Sequence, residues 1–169
     1  VFFYKRKFYQ TLREASRIIA ISECTKRDIL YYGDFPEDKI DLVYQSCSTR
    51  FSQSVSPSLI EEARRKYHLP QRYILNVGTV EVRKNILLGI QTMAKLPSNL
   101  HLVIVGRLTK YQKKLDAEIR RLGIGNRIHF LQGVPNDLLA AIYNQAEAFI
   151  YPSRYEGFGI PIIEAIQSG

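Results

Sequence analysis

The sequence predicts an α/β chain built on a parallel sheet with helices on both faces. Its 169 residues, 46% of them hydrophobic, are enough to bury a sizeable core. In the second half, short apolar runs regularly alternate with helix-patterned stretches, and strands joined through helices pair in parallel. Gly78, Gly106 and Gly133 each stand just after such a run, so the turns gather at one sheet edge, where the ligands of such sheets bind.

Taken in order, residues 1–17 form a basic aromatic segment in which Phe2, Phe3, Phe8, Tyr9 and Leu12 are interleaved with Lys5, Arg6, Lys7 and Arg13. It reads as a helix whose aromatic side packs on a missing or neighbouring domain, with an anionic membrane surface as the other reading. Ile18 to Ile21 is a buried strand, and Ser22 is placed to cap a helix that ends near Gly33. A short strand follows at 40–44. Residues 46–57 are rich in Ser and without hydrophobic periodicity, which suits a linker, and 59–68 is a short helix.

Beyond residue 70 the reading is strand 73–77, helix 85–96, strand 100–105, helix 111–122, strand 127–131, helix 136–146 and strand 148–151. Pro152 stops that last strand. Gly157 and Gly159 frame a turn, and Pro161 suits the start of a helix whose Ile160, Ile163 and Ile166 recur at helical spacing.

Lys+Arg 24 against Asp+Glu 16 gives +8, which favours phosphorylated ligands, nucleic acid or anionic lipid without choosing among them. Cys24 and Cys47 make neither a disulfide framework nor a metal-ligand spacing, and a reducing compartment is the simplest home for them. His68, His101 and His129 form no metal cluster by spacing, so no metal is implied. No apolar run approaches the roughly 18 residues that cross a bilayer, and no secretory leader is visible.

The chemistry concentrates at 149–169. A strand, a glycine turn and a helix start follow one another directly, which aims free N–H groups and a positive helix end into one space where an anion can sit. Glu156 and Glu164 flank that space. Carboxylates repel phosphate but accept from hydroxyls, so the combination suits a diphosphate carrying polyol rings, the layout of a nucleotide sugar. Adjacent Arg83 and Lys84, in the loop after Gly78, supply a bidentate and a mobile cation for the same diphosphate. Read without a ligand, Glu164 is simply favourable in a first helical turn, and adjacent Arg and Lys are a common solvated pair.

The stretch Glu156-Gly-Phe-Gly-Ile-Pro-Ile-Ile-Glu164, after Pro152-Ser153 and before Ala165-Ile-Gln-Ser-Gly169, closely resembles the E-x7-E signature of retaining glycosyltransferases of family 4, which have the GT-B fold. Residues 15–26 are similar to the segment that closes the first domain of these enzymes. The resemblance implies that 1–46 ends an N-terminal GT-B domain, 47–70 is linker and short helix, and 71–169 is a Rossmann-like nucleotide-sugar-binding domain truncated at its C-terminus. It implies an acceptor site largely absent from this chain, which then binds nucleotide but turns over donor poorly or not at all.

By the same resemblance the chain transfers a hexose, mannose as the family-level guess, from a GDP- or UDP-linked sugar to a saccharide or lipid-linked acceptor, with retention and without a metal or other cofactor. Arg83, Lys84 and the amides of Gly157, Phe158 and Gly159 would hold the departing diphosphate, the task of an oxyanion hole. Glu156 would position sugar hydroxyls near the anomeric carbon, and Glu164 would hold the ribose hydroxyls. Gly78 and Gly133-Val134 match donor-binding positions, Val134 where relatives read the base. Thr79 departs from the pattern, because many relatives carry arginine there. The implied setting is cytoplasmic, at the inner membrane face, in surface polysaccharide assembly. The rival readings are a non-catalytic nucleotide-sugar-binding module and, on composition alone, a basic nucleic-acid-binding domain.

Overall fold

The computed structural model describes residues 2–169, which fall into two compact units: residues up to Ser46 with Glu156–Ile160, and Cys47–Tyr155 with Pro161–Gly169.

In the first unit, helix α1 (Phe2–Glu14) leads to strand β1 (Ile18–Ala20), helix α2 (Glu23–Gly33) and strand β2 (Ile40–Leu42). The strands pair in parallel, Ile18 opposite Ile40 and Ala20 opposite Leu42. Leu12, Ala20, Ile29, Phe35 and Ile40 form the core, with Phe8 packed against it. The Phe8 and Leu12 side of α1 therefore packs within its own unit, while Phe3, Tyr4 and Tyr9 remain exposed. Ser22 caps α2 as its residue type predicts, its hydroxyl accepting from the Thr25 N–H at 3.0 Å. The far end differs in detail: Gly33 stays helical, and Asp34 adopts the left-handed conformation that closes the helix, at φ 46°.

In the second unit, helix α3 (Pro57–Tyr67) precedes strand β3 (Tyr73–Val77), helix α4 (Ile86–Met93), strand β4 (His101–Val105), helix α5 (Gln112–Leu122), strand β5 (Ile128–Leu131), helix α6 (Asn136–Asn144), strand β6 (Ala148–Phe149) and helix α7 (Ile160–Gln167). The four strands are parallel, in the order β5-β4-β3-β6. Side chains alternate between the sheet's faces. Tyr73, Leu75, Val103 and Val105 meet α3 and α6 on one face, while Leu102, Ile104 and Ile128 meet α4 and α5 on the other. Both faces are thus covered, which is why the strands read as unbroken apolar runs.

Strands β2 and β6 end at Leu42 and Phe149, earlier than read, and two further segments depart from their expected form. The stretch read as a linker turns inward through a 3-10 turn at Thr49–Phe51, and Phe51 is buried in the core beneath α6. A single aromatic anchor carries no periodicity, so the pattern could not reveal it. Helix α4 is shorter than 85–96, because Asn85 takes the left-handed conformation at φ 53° and the chain leaves the helix after Met93.

Candidate functional site

The carboxyl ends of β3, β4 and β5 open into a cleft of about 380 Å³ lined by Gly78, Thr79, Gly106, Arg107, Gly133 and Val134 among others. The three glycines that follow the strands do line one edge. Their close approach is physical: a Cβ on Gly106 would stand 2.0 Å from the Gly78 carbonyl oxygen, an overlap that no rotamer relieves. Main-chain bonds from Gly78 to Val105 and from Gly106 to Leu131, each 2.9 Å, carry the ladder past the strands and fix this floor.

The cationic loop lies beside the cleft. The side chain of Lys84 covers Gly78, its Cε 3.5 Å from where a Cβ would stand. Lys84 donates to the Tyr151 hydroxyl at 3.1 Å and sits 5.1 Å from the centre of that ring. Arg83 is exposed, meets Glu81 at 2.8 Å and donates to the Tyr155 carbonyl at 3.3 Å. Two further bonds close the seam between this loop and the one after β6: the Arg154 N–H to the Arg83 carbonyl at 2.9 Å, and Asn85 Nδ2 to the Pro152 carbonyl at 3.1 Å. The left-handed turn at Asn85 is what aims its side chain across.

Glu164 sits in α7, half-buried. Its Oε2 accepts from the Tyr143 hydroxyl at 2.9 Å. Burial pushes its carboxyl up from the usual range, and the Tyr143 hydrogen bond offsets part of that rise. The Tyr143 ring meets Phe149 at 5.5 Å, and Phe149 stacks on Tyr151 at 5.9 Å. A continuous series of contacts therefore joins Lys84 to Glu164 through Tyr151, Phe149 and Tyr143. None of these three aromatics was singled out from sequence as a site residue; their partners lie far away along the chain, and no local spacing encodes them.

Glu156, Gly157, Phe158 and Gly159 belong to the first unit. The Gly157 carbonyl accepts from the Ser22 hydroxyl and from the Thr25 hydroxyl, the latter at 3.3 Å. A planar trans peptide points its C=O and N–H in opposite directions, so the Phe158 amide is turned away from the α2 cap. Phe158 lies against Tyr44 with ring centres 6.2 Å apart. Gly159 is buried at φ 101°, a conformation that side chains rarely adopt. Ser22 was legible as a helix cap; its second bond, to Gly157, was not.

His101 Nδ1 and His129 Nε2 lie 2.9 Å apart on neighbouring strands. Among the described residues no group of three or more His, Cys, Asp or Glu is arranged to hold a metal ion, and no helix is long and apolar enough to cross a membrane.

Residues 60–169 match the family model of the glycosyl transferases group 1. The chain is 32% identical over 172 residues to O-antigen chain mannosyltransferase B of Escherichia coli, an alignment that takes in 99% of this chain and 45% of that protein. It is 28% identical over 158 residues to O-antigen chain mannosyltransferase RfbU of Salmonella typhimurium, covering 94% and 41% of the two. The chain thus spans less than half the length of these relatives. Among solved structures, Anabaena HepE in complex with UDP and glucose superposes with a TM-score of 0.84 at 22% identity, over 97% of this chain and 46% of that one. WaaG, a glycosyltransferase involved in lipopolysaccharide biosynthesis, gives 0.76 at 24% identity, over 89% and 41%. At these identities the likeness is one of fold, and the fold is the C-terminal half of GT-B.

Proposed function

Because this chain belongs to the glycosyl transferases group 1 family, with the GT-B fold, we propose that it is the donor-binding part of a retaining enzyme that moves a hexose from a nucleotide-diphosphate sugar to a saccharide or lipid-linked acceptor. Residues 1–46 close the first domain in this reading, 47–70 lead across, and 71–169 bind the donor. The names of the Escherichia coli and Salmonella relatives favour mannose, and the HepE complex favours a nucleotide-sugar donor. A cytoplasmic setting at the inner membrane face suits a lipid-linked acceptor.

The observation that carries this reading is the series of contacts from Lys84 to Glu164 beside the glycine-floored cleft. A cation at one end suits diphosphate, and a carboxylate at the other suits ribose hydroxyls. Arg83 and Lys84 take the diphosphate, with the exposed Arg83 exchanging its Glu81 partner for phosphate oxygens. Gly78 lets the main chain approach the ligand, and Val134 lies at the lip of the cleft where the base is read. The Phe158 amide, between Gly157 and Gly159, adds a donor for the leaving group. Glu156 positions hydroxyls of the transferred sugar, and orientation together with stabilisation of the leaving diphosphate supplies the rate.

A panel of GDP-, UDP- and ADP-linked hexoses, titrated calorimetrically into this chain and assayed for transfer with the full-length parent, tests this. The expected result is preferential binding of one GDP- or UDP-linked donor, lost in Glu164→Ala and Lys84→Ala. Binding of that donor by this chain without transfer to any acceptor by the full-length parent would favour a nucleotide-sugar-binding module, and no heat from any member at millimolar concentration would overturn the assignment.

A further inference from the structure

We infer that Tyr143 is a positioning residue for Glu164, and that recognition of ribose hydroxyls by this chain depends on its hydroxyl group; the inference rests on the donor site proposed above. The Tyr143 ring is 4% exposed and locked in place, edge-on to Phe51 at 5.6 Å and against Phe149 at 5.5 Å. Its hydroxyl cannot swing away without breaking that packing. The hydroxyl has one proton. It goes to the charged oxygen of Glu164 at 2.9 Å, while the Pro161 carbonyl lies farther off at 3.4 Å.

A glutamate on a short helix has three side-chain torsions to fix before both carboxylate oxygens have defined places. Tyr143 fixes them by holding Oε2, and Oε1 accepts no hydrogen bond among the described residues. One oxygen is thereby committed to the protein and the other presented to a ligand. Burial and the neighbouring carboxylate both raise the pKa of the Tyr143 hydroxyl, so it stays protonated and remains a donor throughout the working range. The ring stack continues from Tyr143 through Phe149 to Tyr151 and Lys84, so the same rigid series sets the distance between the carboxylate and the cation.

Tyr143→Phe keeps the ring and removes only the hydroxyl. Glu164 is half-exposed, so water can reach the carboxylate in the variant and the fold is retained. The full chain and its variants are titrated with UDP, GDP and their 2′,3′-dideoxy forms across pH. Tyr143→Phe is expected to weaken the better ribonucleotide roughly tenfold, the scale of one hydrogen bond to a charged group. Its dideoxy form should bind unchanged. Losing the Tyr143 bond also lets the Glu164 carboxyl rise further, so binding should fail at a higher pH on acidification than in the parent chain. Glu164→Gln should remove the ribose preference by itself, and the double variant should match Glu164→Gln.

Equal weakening of ribo and dideoxy forms by Tyr143→Phe, or no weakening while Glu164→Gln abolishes the ribose preference, would overturn the positioning role and leave the donor site standing. No effect of Glu164→Gln on either form would instead remove the donor-site reading.

Discussion

The backbone N–H of Arg154 donates to the carbonyl of Arg83 at 2.9 Å, tying the loop after β3 to the loop after β6. The Arg-Lys pair is therefore carried on a loop whose main chain is pinned. Lys84 approaches the cleft already ordered by Tyr151, with little side-chain freedom left to lose on binding. Lys84→Ala should weaken nucleoside diphosphate binding by about 1.5 to 3 kcal/mol, the loss of one charge-assisted contact. Calorimetric titration at fixed salt measures this, and unchanged affinity would exclude Lys84 from the site.

Asn85 tests the seam itself. Asn85→Ala both removes the bond to the Pro152 carbonyl and places a residue that resists φ 53° in a left-handed turn. The two effects together should cost about 2 kcal/mol in urea unfolding. Asn85→Gly, which accepts the backbone angle, should cost about 1 kcal/mol, the hydrogen bond alone. An equal loss in both variants would show that the backbone angle carries no strain.

Gly106→Ala should destabilise the chain by about 3 kcal/mol, since the added carbon meets main-chain oxygen and only a backbone shift relieves it. Thermal unfolding checks the stability and nucleotide titration the cleft; a variant with the parent's melting temperature would contradict the close approach.

These contacts mark what was legible in the chain and what was not. The strands, their order of appearance and the glycines behind them could be read because apolar run length and turn chemistry are local signals. Ser22 was readable as a cap for the same reason. That Gly106 must be glycine because of Gly78, that Phe51 anchors a stretch resembling a linker, and that Tyr143 holds Glu164 are facts of tertiary contact. Each depends on which strand lies beside which, and no spacing within the sequence states that.

The histidine pair predicts a pH dependence. His101 and His129 share one hydrogen bond between two imidazoles, and burial lowers the pKa of both, with Arg127 adding to the effect on His101. Their folded pKa values lie below the unfolded value, so the stability they contribute is present above about pH 6.5 and is lost as pH falls through the lowered folded values. The urea midpoint of the parent chain should drop on moving from about pH 7.5 to about pH 5. His101→Gln should show a shallower drop, and an identical slope in both proteins would count against the pair as its source.

The floor made by Gly78 and Gly106 has an evolutionary consequence. A surface of bare main chain, its Gly78 and Gly106 amides already bonded to the neighbouring strands, keeps the same shape whatever ligand lies on it, and mutation can scarcely alter it. On the proposed donor site selectivity then resides in the lip, where the exposed Arg107 and Gln132 carry little of the packing that keeps the chain folded. Such a division lets descendants of one ancestor change their preferred nucleotide by a few exchanges at the rim while inheriting the scaffold intact.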